Sequence, residues 1–344
     1  MKNLTARSLF RFFVFLSIVL CLHGAASAQL FSYRFVDQIV NDIAYSRSTG
    51  MIYASVPSVG GQYGNKIVVV DPRSGLIVNN AFAGSEPNRL SLTSDGNYLY
   101  VAMDGSSSVK RFVLSSMTSD ISFSLGSSSN GPLLAEDLAA IPGRPNMVAV
   151  SRRNTCCSPR HEGVAIYVDG VKVPNTTDQF SEANELEASS DPNILYGYNN
   201  ETSGFEYRQL TIDSSGVTIT ASHPSPFGFA YSIEVRYAGG RAYSSNGKVI
   251  DAVTAEPLGA FSLSGSPNGL TVDTVNRRAF FVTGSTLLAY STTTFQPVGA
   301  VTLPTFVFGK ARLIRWGRRG IAYRTDEGKL AIAETLLVTQ KSSQ

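Results

Sequence analysis

The chain has 344 residues, 43% of them hydrophobic and 16% charged, with 29 Lys+Arg against 26 Asp+Glu and a formal net charge of +3. That apolar share supports a folded core and excludes a charge-rich disordered chain. Three cysteines and three histidines exclude a disulfide scaffold and most Cys- or His-rich zinc sites, while 30 glycines and few charges point to a turn-rich, all-β, exported chain.

Residues 1–28 read as a secretory signal peptide. Lys2, Arg7 and Arg11 form a basic start, and Phe12 to Leu22 is an apolar run too short to span a bilayer. Ala26-Ser27-Ala28 is a small-x-small cleavage site, which makes Gln29 the expected mature N-terminus. Cys21 follows Leu20 rather than a small residue and is read as part of the apolar run. The segment holds three basic residues and no acidic one, so the mature chain carries 26 of each sign. No further long apolar stretch follows, and a nucleic-acid partner is not expected of a neutral chain without a basic stripe.

Residues 29–344 read as one domain built from a repeat. Short innermost strands recur around Ile43, Leu90, Leu138, Leu186, Ile233, Leu270 and Leu313, at steps of 47, 48, 48, 47, 37 and 43 residues. Each is followed by a turn and a second apolar strand, as in Tyr98-Leu99-Tyr100-Val101-Ala102. A third strand such as Ile67 to Asp71 comes next, then a polar turn and a fourth strand such as Val217 to Thr220. A period of about 40–50 residues with four strands per unit is that of a β-propeller blade. Seven units fit, which predicts an all-β, seven-bladed propeller of four-stranded antiparallel blades. The last unit lacks chain for a fourth strand, so Phe31 to Val40 is expected to fill that place and close the ring.

The strands Leu99 to Ala102 and Ile67 to Asp71 resemble those of the YVTN-type bacterial propellers, and through them the β-chain-like propellers of quinoprotein amine dehydrogenases and the lactonase propellers. The resemblance implies a WD40/YVTN-like repeat fold over nearly the whole mature chain. It says little about activity, because it lies in core strands. A Gly-His/Trp-Asp signature, repeated tryptophans and a haem-attachment motif are all missing, with Trp316 the single tryptophan.

Ligands are expected on the rim that carries the loops entering each innermost strand and those joining second and third strands. The most unusual of these loops runs from Arg152 and Arg153 through Cys156-Cys157 to Arg160 and His161. Its arginines suit a carboxylate or sulfate, with pairing to local acids such as Glu162 as the alternative. Cys156 and Cys157 have no other mature partner, so a vicinal disulfide is expected in an oxidising compartment. Tyr63 and Phe205, on two further rim loops, suit stacking on a ligand. Asp42, Arg89, Asp137, Glu185, Glu187, Glu234, Arg312 and Arg315 lie on or beside innermost strands, at the channel mouth. Carboxylates there suit Ca²⁺, as the lactonase resemblance implies, or simply pair with the arginines.

Neither a nucleophile elbow nor a phosphate loop occurs, and His223 sits in a Ser-His-Pro-Ser-Pro stretch that reads as a turn. The expected function is therefore that of an exported, non-catalytic, monomeric module, secreted, extracellular or periplasmic. It would bind a ligand, glycan or protein through one rim without a cofactor. The alternatives are a lactonase-like metal-dependent hydrolase and a structural envelope or extracellular protein.

Overall fold

The computed structural model describes residues 30–265 and 267–339; the expected signal peptide lies outside them. The described chain forms a seven-bladed β-propeller. The innermost strands are Asp42–Tyr45, Pro87–Leu92, Leu134–Ala140, Glu185–Ala188, Val235–Ala238, Gly269–Asp273 and Ile314–Trp316. Each begins an antiparallel sheet in which strand order follows chain order outward, except for the outer strand of the seventh blade.

The ring closes as the sequence predicts. Leu30–Ile39 lies antiparallel to Lys329–Thr335 as the outer strand of the seventh blade, with Tyr33 opposite Ala333 and Phe35 opposite Ala331. One blade is built from both chain ends, so no blade is left with a missing strand.

The sixth blade reaches four strands by a compact route. Arg278–Ser291 is one unbroken ladder segment, pairing with Gly269–Asp273 through its first half and Pro297–Val307 through its second. Nine extended residues span about 30 Å, yet the rings of Phe281 and Tyr290 are 5.8 Å apart. The segment therefore doubles back, and Gly284 at φ +55 supplies a left-handed residue at the reversal.

The core is seven separate clusters, one between each pair of neighbouring blades. Alternation along a strand assigns each side chain to one interface. Val148 and Val150 face blade 2, while Ala149 between them faces blade 4. Both faces of a blade are buried, which is why second strands such as Tyr98–Met103 are almost wholly apolar. Trp316 fills the interface between blades 7 and 1, its indole N–H donating to the Ile321 carbonyl at 3.2 Å.

Two innermost strands start later than their apolar anchors suggest. Ser232 has φ +60 and Arg312 φ +49, so the extended run begins beyond them, at Val235 and Ile314. His223 is paired with Tyr207 and ends the outer strand Gly216–His223 rather than sitting in a turn. A short hairpin, Ser127–Ser128 with Gly131–Pro132, is inserted between blades 2 and 3. Among the described residues no helix is long and apolar enough to cross a membrane.

Candidate functional site

An innermost strand has a ladder partner on one side only, so part of its backbone faces the channel and needs other partners. Acids of the preceding blade supply them. Asp42 accepts from the Leu90 N–H at 3.0 Å, Asp137 from Leu186 at 2.9 Å, Glu185 from Val235 at 3.1 Å and Glu187 from Tyr237 at 3.0 Å. Ser91 does the same for Ala140 at 2.9 Å. These contacts span about one repeat each and lace neighbouring blades together around the channel.

Cations stand between the acids. Arg236 donates to Glu187 at 3.1 Å, Lys310 to Glu185 at 2.9 Å, and the Arg89 Nε to the Glu136 carbonyl at 2.8 Å; Arg312 lies 3.7 Å from Asp42. Farther along, Arg315 donates to Asp273 at 3.0 Å. Lys310 comes from the connection between blades 6 and 7 and reaches Glu185 on blade 4, across the channel mouth. Burial pushes Asp137 up to about 6, against the pull of Arg89, and Glu187 up to about 7, against Arg236. Burial acts on Glu185 in the same sense, but Lys310 and Arg236 beside it hold its carboxyl below its ordinary value. No group of three or more His, Cys, Asp or Glu side chains among the described residues is arranged to hold a metal ion.

Glu234 is different. It is 2% exposed, and neither carboxyl oxygen has a hydrogen-bond partner among the described residues. Among the described residues its one charged neighbour in ion-pair range is Arg236, 3.7 Å from Oε2. Burial raises its pKa in spite of Arg236. The residue is firmly placed. Its N–H donates to the Ser245 hydroxyl at 3.0 Å, and the Ser245 N–H donates to its carbonyl at 2.8 Å. Asn200 holds the preceding residues, accepting from the Ser232 N–H at 2.8 Å and donating to the Ile233 carbonyl at 3.2 Å.

Glu234 lines a cavity of about 600 Å³ on the loop rim between blades 5 and 6, together with Tyr231, Ser245, Phe261, Asn268 and Lys310. Asn268 donates to the Val307 carbonyl at 2.6 Å and accepts at its own carbonyl from the Ala311 N–H at 2.6 Å, fixing the connection that carries Lys310. Aromatic side chains crowd this sector. Phe229 is 85% and Tyr231 63% exposed, both edge-on to the buried Phe205 ring at 5.9 and 4.7 Å. Phe308, next to the lining residue Gly309, is also exposed. A second space of about 280 Å³ lies in the channel, bordered by Asp42, Asp137, Glu187, Arg236 and Arg312.

The arginine-rich loop is arranged otherwise. Cys156 and Cys157 form a vicinal disulfide. The Asn154 carbonyl oxygen of the side chain accepts from both their N–H groups, at 3.0 and 2.9 Å. Arg152 is buried and donates to the Glu162 carbonyl at 2.9 Å. Arg153 bridges Glu136 at 2.7 Å and Asp104 at 3.4 Å, and Arg160 pairs with Glu201. Glu162 is taken up by Ser128, Asn130 and Asn154. His161 is 1% exposed, with Nε2 2.8 Å from the Ser181 hydroxyl and Nδ1 3.4 Å from Ser151. Burial, aided by Arg152 and Arg208, pushes its pKa down to about 3, so the ring is neutral. Tyr63 packs on the cluster between blades 7 and 1, with Lys66 5.6 Å over its ring.

No protein-family model matches the chain, and no curated protein matches its sequence. Solved structures do. The β-propeller domain of Cps50 (Swd1) from Myceliophteria thermophila superposes with a TM-score of 0.64 at 11% identity, over 89% of this chain and 99% of that one. Hydrazine synthase from Kuenenia stuttgartiensis gives 0.64 at 13% identity, over 92% and 99%. At such identities the likeness carries the fold alone.

The structure thus gathers Glu185, Glu187, Glu234, Asp137, Asp42, Arg89 and Arg312 around one channel, and sets Glu234 apart at a cavity. Sequence reasoning passed over Arg236, Lys310, Ser245 and Tyr231. The aromatic run Phe227-Gly228-Phe229-Ala230-Tyr231 just before an innermost strand was the available signal for part of this. Lys310 had none, because only the closed ring brings it to blade 4.

Proposed function

We propose that the chain is an exported, non-catalytic propeller of the YVTN-like kind that binds a small ligand in the rim cavity between blades 5 and 6. The observation that carries this reading is Glu234. A buried carboxyl without hydrogen bonds costs free energy, on the order of 1–3 kcal/mol or more. A scaffold that satisfies Asp42, Asp137, Glu185 and Glu187 in turn leaves this one unsatisfied beside a cavity of ligand-binding size. Interleaved Arg and Lys side chains favour binding over a lactonase-like cation site at the channel mouth.

Export is read from residues 1–28, and a disulfide between Cys156 and Cys157 accords with an oxidising compartment. The test is a thermal-shift screen of the mature protein against neutral sugars, amines and small anions. Protection by at least one class, lost in Glu234→Ala, is expected. No protection by any class would overturn the reading. Mass determination of the exported protein should give a chain beginning at Gln29.

A further inference from the structure

Resting on that reading, we propose that the cavity between blades 5 and 6 takes a neutral, polyhydroxylated ligand, a pyranose unit of a glycan, with vicinal hydroxyls donating to Glu234 and a ring face against Tyr231.

Charge argues for a neutral ligand. Glu185 is matched by Lys310, and Arg236 is shared between Glu234 and Glu187. A cationic ligand would share the site with two fixed cations, and an anionic one would meet two fixed acids. Either would be buried against like charge, which is costly in a water-poor site. A vicinal diol presents two O–H donors at the spacing of one carboxyl group. It fills both acceptor positions without altering the balance.

Glu234 lines the cavity, while its carboxyl oxygens are shielded from bulk water. Binding therefore includes a side-chain rotation into the cavity, which exchanges the 3.7 Å approach to Arg236 for ligand hydroxyls. Arg236 keeps its 3.1 Å bond to Glu187, so the rotation leaves no cation stranded. The Ser245 hydroxyl, which accepts from the Glu234 N–H, still has its own proton to give to a ligand oxygen.

The aromatic rim supplies the apolar half. Tyr231 is at the cavity wall and largely exposed, and its ring is held edge-on by Phe205. A fixed, amphipathic ring beside a few directed polar groups is the arrangement that orients a molecule with one C–H-rich face and several hydroxyls. Phe229 and Phe308 extend the apolar surface outward along the rim, so further sugar units would run over them.

The test is titration calorimetry on the full mature protein with three probe sets. These are neutral mono- and disaccharides of glucose, galactose, mannose and N-acetylglucosamine; spermidine; and inorganic phosphate with citrate. The expected result is saturable binding of at least one neutral sugar, weakened tenfold or more in Glu234→Ala and in Tyr231→Ala, and less in Glu234→Gln, which retains one acceptor oxygen. Tyr231 is a surface residue, so its variant keeps the test open should Glu234→Ala fold poorly. Binding of spermidine or the anions with none of the sugars would overturn this inference and leave the binding reading standing. Sugar binding unchanged in both Glu234→Ala and Tyr231→Ala would overturn it too. Silence from every probe set would overturn both.

Discussion

The rim has two sectors that contrast. In blades 2 to 4, the loop from Arg152 to His161 carries the most conspicuous composition in the chain, yet its polar groups are consumed locally: Arg153 by Glu136 and Asp104, Arg160 by Glu201, and the neutral His161 by two serine hydroxyls. In blades 5 and 6 the composition is plain, but the Glu234 carboxyl lies buried without a hydrogen bond among the described residues, at the wall of the larger cavity. Unusual residues are a weaker guide to a site than unfinished pairing. Pairing stabilises a fold; single buried atoms such as Asp104 Oδ1 and Asn184 Oδ1 also lack a partner among the described residues, but Glu234 is the carboxyl with both oxygens unsatisfied.

The contrast can be broken by substitution, beginning with the largest effect. Arg236 stands between Glu187 and Glu234, and Arg236→Met leaves the buried Glu234 and the partly buried Glu187 without their shared cation. A loss of about 3–5 kcal/mol is expected from urea unfolding at neutral pH. A loss below 1 kcal/mol would show that the channel charges are not a stabilising network.

His161 gives the next effect, through pH. Its pKa in the fold is pushed down to about 3, below the ordinary 6.5, so the unfolded chain takes up a proton first. Its contribution is fully present above pH 6.5 and is lost as pH falls from there toward 3. The stability gap between the wild type and His161→Gln should therefore narrow between pH 7 and pH 4. A gap that is constant or widens would mean that the ring is protonated in the fold.

The smallest effect is expected in the conspicuous loop. Arg160 is about two-fifths exposed, and Arg160→Ala should change stability by about 0–1 kcal/mol, measured by the same unfolding curves. Replacing Cys156 and Cys157 by serine should leave ligand affinity in the blade 5–6 cavity unchanged. A tenfold weakening in either variant would move the site to the loop and reverse the comparison.

Much of the fold was legible in the sequence for a physical reason. Both faces of every blade are buried, so second strands such as Tyr98–Met103 and third strands such as Lys66–Asp71 read as apolar runs at a steady period. The closing strand was legible because the stretch Phe31 to Val40 stands before the first unit, where an extra strand is needed beside Lys329–Thr335. The site was legible only in part. Glu185, Glu187 and Glu234 stand out as acids on apolar strands, but nothing in sequence separates Glu234 from its satisfied neighbours. What separates them is that Val235 and Tyr237 present N–H groups to Glu185 and Glu187, a relation made by blade packing fifty residues apart. Likewise, Asp104 and Glu201, partners of Arg153 and Arg160, come from loops of neighbouring blades.

On the proposed reading, Glu234 is kept for binding and the other channel acids for stability. The most direct measurement compares Glu185→Gln with Glu234→Gln by equilibrium unfolding at neutral pH, without ligand. Glu185→Gln removes the charge bonded to Lys310 and should cost about 1.5–3 kcal/mol. Glu234→Gln should be neutral within about 0.5 kcal/mol or stabilising, since the carboxyl it replaces makes no hydrogen bond. Equal losses in the two variants would contradict the account, because Glu234 would then be one more strut of the ring.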